Sequence, residues 1–526
     1  MGAMATARSD AQPRLQADPG SGNAHYNLKR FLSSMAVALA ALLACPAWSA
    51  KWDFVPTLSV VETYTDNVSL TSDAAKQSDW VTQVIPGISI AATGARLRFK
   101  ASYAPEVTYY GQGHQDNQVY QRLNATGNAE LATQLLFVDV GANVDQYNVS
   151  LQGPLTTNNV NTTGNRTTAT TVFVSPYLIH DFGSAVRAEA RFTYSVANSD
   201  DTAALSNSVG DRINLRLASG PGYKLLTWDL AYRNENIDYE TGQNTDIEVT
   251  TLNARRLITP TVGLLAQGGY EYYRSGLIPP TEGPSWSAGL DWAPSPRTHL
   301  AATAGQRFFG NAYSFDFRHR ARLTTWSAGY SQNVTTTRSE FFIPATSSTA
   351  GYLDTLFSSR FPDPVARQKA VEEFIARTGL PPSLGAPINI FSNQLFLVKT
   401  WNASAGIAGV RNVLIANVFG LTSEGLAGDL VLPTAPNTSN QTGTSLLWNW
   451  RMTARNAWNL AAAYSRNESP NTGEISYLTN VTMGLTRQFQ PRLSGSLNYR
   501  FQQNDSNFSG SNYTENAVFA TLRLGF

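Results

Sequence analysis

Histidine is a frequent catalytic and metal-binding residue, so its spacing is the first chemistry to consider. From residue 51 onward the histidines are His114, His180, His299 and His319, and none has a second histidine at metal-site spacing. His299 has Thr298 beside it and Ser295 in the preceding turn, which loosely resembles a nucleophile with its base. The sequence shows no acidic partner for it. We therefore predict no catalytic residue, no metal site and no cofactor.

Basic side chains offer a second kind of chemistry, because a ring of one charge sign around a pore selects ions of the opposite sign. In segments such as 96–101 they alternate with apolar residues and so share one polar face. We predict that they line a water-filled interior; the residues are Arg96, Arg98, Lys100, Arg212, Arg216, Arg318, Arg320, Arg322, Arg492 and Arg500. Two interpretations stay open: local ion pairs along a solvated wall, or an excess of positive charge that favours anionic solutes.

A period of two residues runs through most of the chain and predicts β-strands to carry these side chains. In the segment 492–501, Leu493, Leu497 and Phe501 belong to an apolar face opposite a polar one. A soluble β-sandwich alternates in the same way. However, the alternating segments are long, and Trp and Tyr recur near their ends, as in the aromatic girdles of a membrane barrel.

Composition also favours a membrane barrel over several soluble domains. The 526 residues are 15% charged and 11% aromatic, whereas soluble domains average roughly 25% charged. Mean hydropathy is -0.22, and no apolar run approaches the roughly 18–20 residues of a membrane-spanning helix, which excludes a polytopic helical protein. The net charge of +1 excludes a generally basic nucleic-acid binder, and a single cysteine excludes a disulfide framework. We predict an all-β fold, a transmembrane antiparallel outer-membrane β-barrel with one small helical insert.

Turn signals divide the chain into about 22 strands, and counts of roughly 18 or 20 also fit. Tight turns such as 181–184 alternate with long polar loops such as 150–166 and 421–437, which predicts tight turns in the periplasm and long loops outside. The last strand carries apolar residues at every second position. Leu522, Leu524 and Phe526 resemble the C-terminal signal by which the barrel assembly machinery recognises outer-membrane proteins.

The first 50 residues predict an N-terminal extension and a secretory signal. Lys29 and Arg30 precede the apolar stretch 31–44, and small residues around Ala50 form a cleavage zone. The alternatives are a short membrane anchor and a lipoprotein-type site at Cys45. We expect the barrel to comprise residues 51–526.

Residues 338–393 break the strand rhythm. Asp363 and Pro364 predict a helix start, and Phe374 and Ile375 belong to its apolar stripe. Such a stripe needs a surface to cover it, and a barrel of about 22 strands is too wide to stay empty unless it is a pore. We favour a helical lid or plug that gates the barrel; the alternative is a helix on the outer surface.

Three segments together resemble a known family: Glu62–Leu70 (ETYTDNVSL), Ile85–Ile90 (IPGISI), and the insert with Asp354–Phe357 followed by Phe361–Pro364. They resemble the PEP-CTERM system-associated outer-membrane β-barrel proteins, companions of exosortase and exopolysaccharide loci in Gram-negative bacteria. The resemblance spans the chain after the signal segment and implies no catalytic residues. It implies an outer-membrane location and a role in polysaccharide or biofilm-matrix biogenesis.

From these patterns we expect an outer-membrane channel or conduit for exopolysaccharide, favouring anionic polymers. The alternative is a non-conducting structural or docking barrel that anchors matrix polymer or a partner protein. The expected partners are outer-membrane lipid, the barrel assembly machinery, exopolysaccharide and periplasmic export components, with no nucleic acid among them.

Overall fold

The structure is a computed structural model. It describes residues 50–526 except 152, 157, 201–205, 242–243, 277–278, 337, 339–348, 359–360, 362, 364–366, 369, 372–373, 376–394 and 427–437. The predicted signal segment, Cys45 and Pro364 therefore lie outside the described residues.

The period-two alternation of the sequence corresponds to antiparallel β-segments. They are β1 (Lys51–Thr65), β2 (Asp79–Thr93), β3 (Leu97–Tyr103), β4 (Glu106–Tyr110), β5 (Gln118–Tyr120), β6 (Leu123–Ala132), β7 (Leu136–Asn148), β8 (Arg166–Phe182), β9 (Val186–Ser199), β10 (Ser208–Ser219), β11 (Leu226–Tyr239), β12 (Asn244–Thr259), β13 (Val262–Ser275), β14 (Thr281–Ser295), β15 (Thr298–Arg307), β16 (Gly310–Arg320), β17 (Thr324–Thr336), β18 (Leu395–Ala408), β19 (Asn412–Gly425), β20 (Thr438–Arg451), β21 (Asn456–Ser469), β22 (Glu474–Gln490), β23 (Leu493–Ser506) and β24 (Tyr513–Gly525).

These segments form a closed barrel of 22 strands. Both β3 and β4 pair with β2, while β6 pairs with β3 and β5 with β4, so these four segments make two interrupted strands. The barrel closes because β24 pairs with β1, from Thr57 opposite Gly525 to Thr65 opposite Ala517. The predicted all-β antiparallel barrel and its strand number are confirmed.

The two faces of each strand meet different surroundings. On β1, Trp52, Phe54 and Tyr64 are exposed, whereas the alternating Thr63 and Thr65 are fully buried. Most of the large apolar side chains that stay exposed occupy the same outward positions on other strands. The apolar face therefore points outward, as lipid contact requires, and the polar face lines the interior.

The two ends of the barrel differ. At one end, here called the short-turn end, tight connections such as 93–97, 259–262 and 490–493 join the strands, and β1 begins and β24 ends. The opposite end, the long-loop end, carries the connections 66–78, 149–165 and 337–394.

Helices are few in the described residues. A 3-10 helix spans Asp73–Ala75, and helix α1 spans Thr349–Phe357 in the connection between β17 and β18. No helix in the described part of the chain combines the length and the apolar character needed to cross a membrane.

Candidate functional site

The interior of the barrel is the candidate site, and its wall has two contrasting parts. The first part, β7–β16, carries charged side chains that face inward and form ion pairs. The pairs are Arg191 Nη1 with Asp139 Oδ2 at 2.6 Å, Arg212 Nη2 with Glu235 Oε1 at 2.8 Å, Arg216 Nε with Asp229 Oδ2 at 2.9 Å, and Arg307 Nη2 with Glu271 Oε2 at 2.6 Å. We call this part the charged wall.

The second part is the inward face of β17–β22, here called the neutral wall. The strand register puts Lys399, Glu424 and Arg466 of these strands on the outward face. Only Arg451 and Glu474, at strand ends, are charged residues at inward positions. Amide and hydroxyl side chains bond to one another instead: Ser404 Oγ donates to Asn417 at 2.7 Å, and Asn449 donates to Asn459 at 2.6 Å.

The predicted lumen arginines fall into two groups. The first group has polar or charged partners. Arg212, Arg216, Arg318 and Arg500 form ion pairs. Arg96 Nη2 donates to Thr133 Oγ1 at 2.6 Å, and Arg320 donates to Ser358. Arg98, Arg322 and Arg492 have no acidic side chain within ion-pair distance among the described residues, and Lys100 is exposed beside Arg98 on β3. Local ion pairs therefore account for four of these ten basic residues.

His299 has acidic neighbours that the sequence did not reveal. Its Nε2 lies 3.0 Å from Asp291 Oδ1, and its Nδ1 lies 3.5 Å from Asp316 Oδ1. These carboxylates come from the flanking strands β14 and β16, one on each side of β15. Thr298 points to the opposite face, where its hydroxyl contacts His319 at 2.9 Å. The structure does not bring the suspected hydroxyl and His299 together.

The connection between β17 and β18 enters the barrel. It leaves β17 at Thr336, at the long-loop end, yet Ser358 accepts a hydrogen bond at 2.9 Å from Arg320, the last residue of β16 at the short-turn end. Ser358 of this connection therefore lies inside the barrel near the short-turn end.

Helix α1 and the residues after it form an apolar cluster with the barrel wall. The buried members are Leu353, Leu356, Phe357 and Val371 of the insert with Val413, Ile415 and Leu447 of β19 and β20. Val413 follows directly on the tight turn at 408–412, so the cluster lies near the short-turn end. Burial of each large apolar side chain is worth roughly 1.5–3 kcal/mol, so the docked helix is held firmly.

The residues predicted for the gate helix lie beside this cluster. Phe374 and Ile375 are half-buried and pack against it, and the Phe374 ring meets Phe357 edge-on at 5.5 Å between centroids. The backbone carbonyl of Asp363 accepts from Arg367 N–H at 3.0 Å, a helical contact. The Arg367 side chain then donates to Asp354 of α1 at 2.8 Å, which ties the two pieces together.

Arg338 holds the start of the insert to a distant wall. It is 1% exposed, its Nε donates to Ser208 Oγ at 2.8 Å, and Nη2 donates to the carbonyl and hydroxyl oxygens of Ser195 at 2.9 Å. Burial lowers the pKa of the Arg338 guanidinium. A Cβ on Gly210 would lie 2.8 Å from the guanidinium, so glycine makes room for it. Since Ser195 and Ser208 belong to β9 and β10, the insert reaches across the interior.

The connection 149–165, here called the inward loop, also folds into the barrel. Its Leu155 is fully buried, and the Leu155 carbonyl accepts from Gln502 at 2.6 Å and from Tyr513 at 2.5 Å. Asn159 is 7% exposed and donates to Glu106 at 2.9 Å. The expectation of a freely external loop at 150–166 is wrong at Asn159, because its amide is bonded inside the wall.

A buried ion pair anchors the inward loop at the closing strands. Arg500 donates to both Glu515 oxygens, at 3.0 and 2.8 Å, and the carboxylate also accepts from Thr65 and Asn161 at 2.7 Å each. The Glu515 side chain is 0% exposed. Arg500, predicted as a solvated lumen residue, is thus a structural residue.

Sequence reasoning missed three of these features. The inward apolar patch did leave a signal, since in Val413-Leu414-Ile415 both faces of β19 are apolar. Arg338 and the inward loop left none, because their partners are more than a hundred residues away or on other strands.

Comparison with known proteins supports the fold. No protein-family model and no curated protein matches the chain. Among solved structures, it is similar to the ferric citrate transporter FecA in the unliganded form, at 9% identity and a TM-score of 0.50, over 90% of this chain and 79% of that one. The FrpB iron transporter from Neisseria meningitidis (F3-3 variant) has 10% identity and a TM-score of 0.49, over 90% and 81%. The siderophore receptor PiuA from Acinetobacter baumannii has 8% identity and 0.49, over 91% and 82%.

At such identities the likeness concerns the fold alone. The fold defines the class of this protein as an outer-membrane-type β-barrel.

Proposed function

We propose that this protein is a gated conduit across the outer membrane and that the 338–393 insert is its gate. The observation that carries the proposal is the apolar cluster of α1 with Val413, Ile415 and Leu447. An inward apolar patch on a largely polar wall is favourable only if another part of the chain covers it. Apolar side chains of the wall pack against apolar side chains of the insert, as a seal requires.

The insert is separable from the barrel. The strands β17 and β18 pair along their whole length, ending with Thr336 opposite Leu395. The two ends of the insert therefore start side by side, and a short hairpin turn would join them without any change in the strand register. A segment that the wall does not need for its own pairing is free to serve as a gate.

The transported material is proposed to be exopolysaccharide. The support is the resemblance of Glu62–Leu70 and of the insert to barrels that accompany polysaccharide loci. A lumen lined with polar side chains suits a hydrated polymer. Delivery by a cleaved secretory signal and insertion by the barrel assembly machinery belong to the same proposal.

Planar-bilayer recording tests the gate. Residues 337–394 are replaced by a short Gly/Ser turn, and the exposed residues 507–510 between β23 and β24 are replaced by the same turn as the control. We expect both variants to form heat-modifiable barrels, but only the first to show a large rise in single-channel conductance. Unchanged conductance would sink the gate and favour the docking barrel.

A further inference from the structure

We infer that the neutral wall is the track for an uncharged, hydroxyl-rich polymer, such as a neutral polysaccharide. This inference rests on the proposed conduit function and names its substrate class. It departs from the anionic solutes expected from the arginines of the sequence.

Charged side chains are unevenly distributed around the inward face of the barrel wall. Inward positions on six adjacent strands carry only amide, hydroxyl, small and apolar side chains between the strand ends. Amides and hydroxyls both donate and accept, which matches sugar hydroxyls without selecting a charge. The charged wall on the other side neutralises itself through its ion pairs, so it holds little unpaired positive charge for an anionic polymer.

Part of the wall beside the insert remains open to the interior. The inward side chains Ala461, Ala463, Asn480, Thr482 and Asn498 are half-exposed to the interior. Helix α1 covers the wall at β19 and β20, and the inward loop covers Leu478 and Tyr513 nearer the long-loop end. Small side chains between these two covers leave a shallow strip, which we call the open strip. It runs along β21 and β22 of the neutral wall and onto the neighbouring β23, whose inward Arg500 is neutralised by Glu515.

Near the open strip, several buried polar atoms lack a hydrogen-bond partner among the described residues. At the long-loop end of β20–β23, four inward side chains are at most 2% exposed. Among the described residues, no hydrogen-bond partner is found for Ser439 Oγ, Asn467 Oδ1, Ser469 Oγ and Asn504 Oδ1. Buried polar atoms without partners cost stability. These atoms are polar but uncharged, so a carboxylate brought to this wall would meet no countercharge.

Calorimetric titration of the insert-excised barrel tests the inference, with maltohexaose as the neutral probe and a galacturonate oligomer of the same length as the anionic probe. Asn480→Leu together with Asn498→Leu removes amides from the open strip, and Ser314→Leu on β16 is the matched control. We expect maltohexaose to bind more tightly than galacturonate. The amide substitutions should weaken it about tenfold, as loss of one or two hydrogen bonds does, and the control should leave it unchanged.

Equal or tighter binding of galacturonate overturns the inference, as does an equal loss of affinity in the Ser314→Leu control. The titration does not depend on conduction, so its result is independent of whether the insert acts as a gate. A barrel that binds maltohexaose in this pattern but does not conduct refutes the conduit alone. If the excised barrel fails to fold, full-length Leu356→Asp, which loosens α1, takes its place in the same titration.

Discussion

Single residues inside this barrel do structural work that their chemistry alone would not reveal. Arg500 looks like one of many basic side chains on a wet wall, yet its side chain is 8% exposed and serves the fully buried Glu515. Arg216 has the same chemistry and remains 58% exposed in its pair with Asp229. The difference is burial, which makes loss of a partner costly for the first pair and cheap for the second.

Arg500→Ala is expected to lower the free energy of unfolding by about 3–5 kcal/mol, because it leaves the Glu515 carboxylate buried without its countercharge. Arg216→Ala, the control, should cost no more than about 1 kcal/mol. Denaturant unfolding followed by tryptophan fluorescence measures both. A similar cost for the two variants would contradict the structural role of Arg500.

We expect Phe526 to contribute to assembly of the barrel more than to its stability. Its side chain is 58% exposed, and its backbone N–H donates to the Pro56 carbonyl at 3.0 Å, a bond that any residue except proline can make. Phe526→Ala should therefore lower the amount of heat-modifiable barrel in cells while the refolded protein unfolds normally. Phe489→Ala, at a similarly exposed aromatic residue outside the last strand, is the control. Normal assembly of Phe526→Ala would show that the terminal pattern is incidental.

At the scale of elements, the two long connections at 149–165 and 337–394 differ from ordinary external loops because each buries apolar side chains inside the barrel. Leu155 and Val160 anchor the first, and Leu353 and Leu356 anchor the second. The strands form a continuous wall without either connection. Both connections place described residues inside the barrel, and Ser358 of the second lies near the short-turn end.

Cysteine labelling distinguishes an inward loop from an external one. In a Cys45→Ser background, Asn159→Cys should resist an impermeant maleimide in intact cells and in the purified folded protein, because Asn159 is buried. Ser509→Cys, in the exposed connection between β23 and β24, should react in both. Rapid labelling of Asn159→Cys would show that the loop swings out of the barrel.

At the scale of the whole molecule, the closed barrel divides its interior into a charged wall and a neutral wall. Paired charges contribute no net field, so ion selectivity in an open barrel depends on the few basic residues without acidic neighbours. Arg98 and Arg492 are two such residues among those that the structure describes.

Replacing Arg98 and Arg492 with Gln in the insert-excised barrel is expected to lower the anion-to-cation permeability ratio about twofold, because two unbalanced positive charges leave the short-turn end of the barrel. The double change Arg216→Gln with Asp229→Asn removes a pair of zero net charge and should not alter the ratio. Reversal potentials in a salt gradient measure both. An equal shift in the two variants would show that pairing does not decide selectivity.

Much of the architecture follows from the sequence alone. Period-two alternation and turn spacing determined the all-β class, the outward apolar face and a count of about 22 strands, because each strand records its two environments in its own residues. The alternation of side chains between the two faces of a strand also put Arg212 and Arg318 on the inward face. The break in rhythm at 338–393 marked the insert for the same reason.

Only the tertiary structure decided what occupies the interior. That Thr65 meets Glu515, which strands receive Arg338 and which wall covers Leu356 depend on closure of the barrel, which brings together residues far apart in sequence. His299 shows the limit most clearly: both of its carboxylate neighbours come from adjacent strands through register, and register is set by pairing along the whole wall. Local patterns encode the face of a residue, whereas its partners follow from the way the strands align.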